Sequence, residues 1–324
     1  MSQLRNAIIA NLGGGTPPTP PAPLDDGKLR FTVNVNSTAN IEYFSQYYEP
    51  SVSDYVIDWG DGSLSTATTT HTYASTGEYQ IIISAGASNK FPLIKFNANQ
   101  YIKSVDSVYP YVESTSGFTS LFTNSTLQSV CGKLFKNNSQ ITDIQSCFYG
   151  CTNLSTIPND LCSYFTNVTR MTNFLRDTSI ESLPQGLLDN CTNVTTLEYF
   201  CSGCSQLKTI PELLFNNNLK CDHFNFAFNG CTSLKLVKNL FCDETTGKTT
   251  RFSPMTGIGH IYFTSLFNRT SYTGSEVGEA PSLWEYTYGP TLHSNNCFAG
   301  AGNSTTSISN YNSIPSAWGG PASW

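Results

Sequence analysis

Charge is what this chain has least of. Only 12% of its 324 residues are Asp, Glu, Lys or Arg, against about 25% in ordinary soluble domains. Asn, Ser and Thr take the place of the missing charge. Their side chains satisfy backbone groups in bends, which fits turn-rich β or repeat structure. The 17 Lys and Arg form no run longer than two, and the net charge is −6. A nucleic-acid binder needs a basic stripe that displaces counterions, so nucleic acid is set aside as a partner. No run of 18 apolar residues exists, so no membrane insertion is expected. The apolar centre of the N-terminus, Ala7-Ile8-Ile9-Ala10, is too short for the core of a secretory signal. The expectation is a protein that stays in a cytoplasm, is exported by another route, or leaves the cell as part of a particle.

Catalytic and metal-binding patterns are equally scarce. His260 and His293 sit in irregular sequence without companions, and Cys221-Asp222-His223 lacks a second ligand pair. No Ser-His-Asp or Cys-His arrangement emerges, so no enzyme activity and no cofactor are expected. Asp58 and Asp61 flank Trp59-Gly60. They read as turn residues accepting backbone N–H groups rather than as a calcium loop, whose spacing they do not match. There are 11 cysteines, an odd number. Cys201 and Cys204 form a C-x-x-C, and Cys147 and Cys151 a wider pair. Reduced thiols packing as small apolar groups are the expectation, with a redox pair or half a zinc site as the alternative for Cys201 and Cys204.

Three segments follow one another. In residues 1–12, Leu4, Ile8 and Leu12 recur at a spacing of four with Ile9 beside them, one apolar stripe on a short helix. Residues 13–24 hold Gly13-Gly14-Gly15 and the run Thr16 to Pro23. That run favours polyproline II and spans roughly 25 Å at ~3.1 Å per residue. An apolar stripe held away from its own core is expected to dock on another molecule; the alternative is a disordered or folded-back terminus.

Residues 25–97 read as strands. Leu29 to Val35 alternates strictly, and Tyr55 to Trp59 and Glu78 to Ser84 are further runs separated by turn signals. A small β-sandwich is expected. The run Tyr55-Val-Ile-Asp-Trp-Gly-Asp-Gly62, with His71-Thr-Tyr73 and Gly77-Glu-Tyr79, resembles the PKD domain, an immunoglobulin-like module. The resemblance covers roughly 60 residues and implies a spacer or ligand-binding unit on extracellular proteins or virion parts, not a catalyst.

Residues 98–324 contain an internal repeat. Its clearest copies start Cys147-Phe-Tyr-Gly-Cys-Thr-Asn-Leu-Ser-Thr-Ile-Pro158, Phe200-Cys-Ser-Gly-Cys-Ser-Gln-Leu-Lys-Thr-Ile-Pro211 and Phe226-Ala-Phe-Asn-Gly-Cys-Thr-Ser-Leu-Lys-Leu-Val237. Shortened copies begin at Phe122 and Phe174. Prolines at 158, 184 and 211 set steps of 26 and 27 residues. A second apolar cluster follows in each unit: Leu134-Phe135, Leu187-Leu188, Leu214-Phe215 and Leu240-Phe241. A unit this short cannot bury its own apolar residues, so stacking is required. The L-x-x-I segment is the expected strand of each turn. The pattern resembles BspA-like leucine-rich repeats, with Cys151, Cys204 and Cys231 in the turn position and Thr178 departing from it. That likeness covers about 120 residues clearly and about 220 loosely.

After residue 243 the repeat is disturbed. Ala280-Pro-Ser-Leu-Trp284 and Ser313-Ile-Pro-Ser-Ala-Trp318 look like altered capping units with Trp in a helical position. Similar endings occur in repeat proteins of gut bacteria and their tailed phages. The aromatics Trp284, Tyr286, Tyr288, Trp318 and Trp324 are candidates for ligand contact, with core of the capping units as the competing reading.

The expected fold class is mainly β: an immunoglobulin-like sandwich, then a leucine-rich-repeat solenoid with short strands and short helices. The expected function is non-enzymatic. The chain would be a tailed-phage virion component, capsid decoration or fibre. Its N-terminus would dock on other virion proteins, its repeats would meet a host protein or glycan, and it could form a homo-oligomer. The alternative is a BspA-type adhesin on a bacterial surface.

Overall fold

The computed structural model describes residues 24–47, 52–96, 98–253, 255, 259–269, 272–301 and 308–321. Leu4, Ile8, Ile9 and Leu12 lie outside the described residues, as do residues 13–23 of the linker and Trp324. The protein is mainly β with almost no helix.

The strands are β1 (Lys28–Val35), β2 (Ile41–Glu42), β3 (Ser45–Tyr47), β4 (Val56–Asp58), β5 (Leu64–Thr66), β6 (Thr70–His71), β7 (Gly77–Ser84), β8 (Leu93–Lys95), β9 (Ile102–Val105), β10 (Ser129–Val130), β11 (His260–Tyr262) and β12 (Thr291–His293). The main sheet runs β10-β9-β1-β7-β4-β5. Alternation in β1 puts Leu29, Phe31, Val33 and Val35 inside, the period-two pattern of a half-buried strand. Phe31 meets Phe44 at 5.7 Å and Phe96 at 4.8 Å, both edge-on. These partners come from beside the small pairs β2-β6 and β3-β8, so the core lies between the main sheet and those pairs.

The Trp59-Gly-Asp-Gly62 turn is built by its own side chains. Asp58 accepts the Gly60 N–H at 3.0 Å, and Asp61 accepts the Ser63 N–H at 2.9 Å. His71 stacks on Trp59 at 4.6 Å and reaches the second Asp61 oxygen at 2.8 Å. The Tyr73 hydroxyl donates to the Trp59 carbonyl at 2.8 Å. Gly60 has φ +79°, and a Cβ there would lie 2.4 Å from the Gln80 carbonyl oxygen, so only glycine fits. Burial opposes the Asp61 charge, but the bonds from Ser63 and His71 outweigh it and pull the carboxyl down to about 2. The aspartates, His71 and the aromatics all serve the turn.

The main sheet continues past residue 97. Strand β9 pairs antiparallel with β1, and β10 pairs parallel with β9. From β10 onward each unit hydrogen-bonds to the next at equivalent positions. Glu181 N–H donates to Ser155 O (3.2 Å), Lys208 N–H to Glu181 O (2.9 Å) and Lys235 N–H to Lys208 O (2.9 Å). A Phe column runs through the centre. Phe96, Phe122 and Phe148 stack at 5.4 and 5.3 Å, and Phe174 and Phe200 follow at 5.3 and 5.9 Å. Phe96 belongs to the first part of the chain, so one core runs from the sheet into the stacked units.

Two details differ from expectation. The L-x-x-I segment forms a strand only at β10; farther along, Ser182↔Thr209 is a single bridge, and Leu154 to Ile157 and Leu234 to Val237 have no ladder pairing. Pro184 and Pro211, which follow the two bridged segments, have no N–H to extend that ladder. After β10 comes Cys131 instead, and its N–H does donate, to Val105 O at 2.9 Å. The described helical turns are three short 3₁₀ segments, Leu283–Glu285, Tyr311–Ser313 and Ser316–Trp318, all after residue 280; the remaining described corners are hydrogen-bonded turns.

The turn cysteines also acquire a reason. The thiols of Cys151, Cys204 and Cys231 donate to Phe122 O, Leu175 O and Cys201 O of the preceding unit at 3.0–3.1 Å. Thr178 fills the same column, but its hydroxyl donates to Leu175 O of its own unit at 2.8 Å and lies 3.3 Å from the Cys204 sulfur. A small side chain with one weak donor is what the column requires. All 11 cysteines are free, and ten are buried, Cys131 being the exception. Burial lifts the Cys147, Cys201 and Cys297 thiols well above their ordinary range and pushes Cys131 up to about 12, with Asp106 adding to the effect there. A thiol reagent at neutral pH should therefore label the native protein at less than about one site, and all 11 only after denaturation. Rapid native labelling of several thiols would contradict this packing.

Candidate functional surface

Each repeat unit turns one short segment outward. In Asp143 to Cys151, the side chains of Ile144, Cys147, Phe148 and Cys151 are buried, while Gln145, Ser146 and Tyr149 are partly exposed. Alternate amides bridge to the next unit: Ser146 N–H to Thr172 O, Phe148 N–H to Phe174 O and Gly150 N–H to Arg176 O, at 2.9–3.0 Å. This fixes every outward side chain directly above its counterpart.

The register uses left-handed backbone at two points in most units. One column holds Ser146, Asn173, Tyr199, Phe226, Ser265 and Asn296, all with φ between 53° and 58°. The other, four residues on, holds Gly150, Asp177, Gly203, Gly230 and Gly300. Gly, Asn and Asp tolerate this conformation, whereas Tyr and Phe pay roughly 1–2 kcal/mol each. Tyr199 and Phe226 are partly exposed, so core burial does not offset that cost. Strain carried by surface aromatics is a pointer to function.

Those rings form part of a row. Tyr199 and Phe226 stack at 4.7 Å with an interplanar angle of 4°. The Arg176 guanidinium lies 5.0 Å from the Tyr199 ring centroid and 5.3 Å from that of Tyr149. Four π-systems thus lie side by side across consecutive units. A parallel column runs beside them: bridges join Asp143, Arg170, Thr196, His223 and Tyr262 in turn, and β11-β12 pairing adds His293. Arg170 pairs with the buried Asp143. His223 bonds Asp222 at 2.6 Å and lies 4.6 Å from the Tyr262 ring, which stacks on His293 at 4.6 Å. His260 and His293, solitary in sequence, stand 3.0 Å apart between Nδ1 and Nε2.

The C-terminal aromatics sit elsewhere. Tyr286 and Trp318 are each only 6% exposed. Tyr288 stacks on Phe252 at 5.4 Å and donates to Leu283 O at 2.7 Å. Trp284 packs edge-on against Phe298 at 6.0 Å. The Tyr286 hydroxyl donates to the buried Glu244 at 3.2 Å, and burial raises its pKa far above the ordinary range. Tyr286 and Trp318 fill the last units, while Trp284 and Tyr288 pack against the same core and stay partly exposed. The partly exposed row at Tyr149, Arg176, Tyr199 and Phe226 escaped the sequence reading because it straddles the core motif. The available signal was an aromatic or Arg one or two positions from a buried Phe in four consecutive units.

Among the described residues no group of three or more His, Cys, Asp or Glu is placed to hold a metal ion, and no helix is long and apolar enough to cross a membrane. A scan of known protein families finds no matching model, and no curated protein matches the chain. The PKD-like and BspA-like resemblances therefore rest on the motifs themselves.

Proposed function

We propose that this chain is a non-enzymatic binding protein: an immunoglobulin-like, PKD-type module continuous with a BspA-type leucine-rich-repeat solenoid that presents one face to a ligand. The Tyr149–Arg176–Tyr199–Phe226 row carries this reading. Tyr and Arg dominate binding hot spots because they offer large, partly apolar area with polar handles. Stacking fixes Tyr199 and Phe226 in parallel planes 4.7 Å apart, so little entropy is lost when a protein or glycan surface meets the row. The apolar stripe Leu4, Ile8, Ile9 and Leu12 on its proline spacer supports attachment at the other end. Together these features suit a tailed-phage virion component, either capsid decoration or fibre, with virion proteins as the attachment partners and a host surface protein or glycan as the ligand.

The test separates binding from folding. Tyr199→Gly and Phe226→Gly remove the rings and also the left-handed strain. Stability should stay level or rise by about 1 kcal/mol, while binding to host cells or a glycan array should fall roughly tenfold. Unchanged binding in the double variant would remove the row from the interface. Mass spectrometry of purified particles should find the chain in virions; finding it only in cell envelopes would favour a bacterial adhesin.

A further inference from the structure

We propose that His260 and His293 form a surface site for a divalent transition-metal ion of the Cu²⁺, Ni²⁺ or Zn²⁺ class. The two rings come from neighbouring parallel strands, β11 and β12, with Tyr262 directly opposite His293. Residues 260 and 262 share a strand face by the period of two, so both imidazoles lie on the Tyr262 side. The Tyr262 ring packs against each, at 5.9 Å from His260 and in a 4.6 Å stack with His293. His260 is exposed and His293 partly exposed, so an ion reaches the pair from solvent.

The spacing suits chelation. Two metal–nitrogen bonds of about 2.0–2.1 Å, opened to between 90° and 109°, place their nitrogens roughly 2.9–3.3 Å apart. The His260 Nδ1 to His293 Nε2 separation is 3.0 Å. In the metal-free pair one of these nitrogens donates a proton to the other. Binding requires both lone pairs, so the donating ring moves its proton to its far nitrogen through solvent, with no net proton release from the neutral pair. Imidazole nitrogen selects the later first-row cations over Ca²⁺ or Mg²⁺. No third His, Cys, Asp or Glu among the described residues completes the set. The remaining coordination positions belong to water or to a donor on a second molecule. The site sits at one end of the His223–Tyr262–His293 column, so a bound partner could supply that donor.

The test uses the full chain and the metal ions alone. Substoichiometric Cu²⁺ should broaden the imidazole NMR signals of His260 and His293 more strongly than those of His71 and His223. His260→Gln and His293→Gln should each weaken Cu²⁺ and Ni²⁺ binding about tenfold or more. Equal broadening of all four histidines, or affinity unchanged in both variants, overturns the proposal. Because the NMR readout uses the native protein, it holds even where a variant loses stability.

Discussion

Replacing Phe174 with Ala is expected to destabilise the protein by about 3–5 kcal/mol, with the loss felt in both adjacent units. The ring is fully buried. It meets Phe148 at 5.3 Å, Phe200 at 5.9 Å and Phe165 at 6.2 Å. Its neighbours are pinned by backbone bonds to units above and below: Phe148 N–H donates to Phe174 O at 3.0 Å, and Leu175 N–H to Phe200 O at 2.8 Å. The surroundings cannot collapse into the void without breaking those bonds, so the cavity term adds to the transfer term. Urea unfolding measures the loss. A cost below about 1 kcal/mol would mean that the site relaxes freely and that the units are not locked in register.

Asn138→Leu should be nearly as damaging, and worse than the same change at Asn218. Both side chains are fully buried at the corner that follows Leu-Phe. The Asn138 amide nitrogen donates to Tyr109 O and Pro110 O at 3.0 and 3.1 Å, and its oxygen accepts the Val112 N–H at 3.1 Å. Leucine would fill the volume and strand those backbone groups, each at about 1–3 kcal/mol. The Asn218 nitrogen donates to Leu188 O and Cys191 O, but its oxygen has no partner. Its replacement removes donors only and relieves one unsatisfied acceptor. An expected cost of about 3 kcal/mol or more at residue 138 should therefore exceed that at 218 by about 1 kcal/mol. The reverse order would contradict this assignment of partners.

Much of this was legible in the residues. The strict alternation of Leu29 to Val35 marks a half-buried strand, and a repeat of 26 or 27 residues marks units that need neighbours. Asp58 and Asp61 read as turn acceptors because short carboxylates capture nearby N–H groups. What escaped lies in long-range register. The residues between 243 and 258 stretch the step from Phe226 to its counterpart Ser265, and this interruption hides that His223, Tyr262 and His293 fall in one column. Left-handed backbone at Tyr199 and Phe226 defies residue preference, because stacking imposes the conformation on whatever side chain occupies the column. The cysteine column seemed broken at Thr178 only because the requirement is a small buried donor, which a hydroxyl also meets. Proline at 158, 184 and 211 was a visible repeat marker. Its second consequence, limiting the Ser182–Thr209 ladder to one bridge, follows only once the ladder direction is known.

Amide hydrogen exchange on the native chain tests the stacking most directly. The amides of Phe148, Gly150, Leu175, Asp177, Cys201 and Gly203 all donate to the following unit. They should exchange slowly and with similar protection, and Phe174→Ala should lower protection at 148–150 and at 201–203 together. Fast exchange at these amides in folded protein, or a loss confined to the mutated unit, would mean that the units do not hold one another in place.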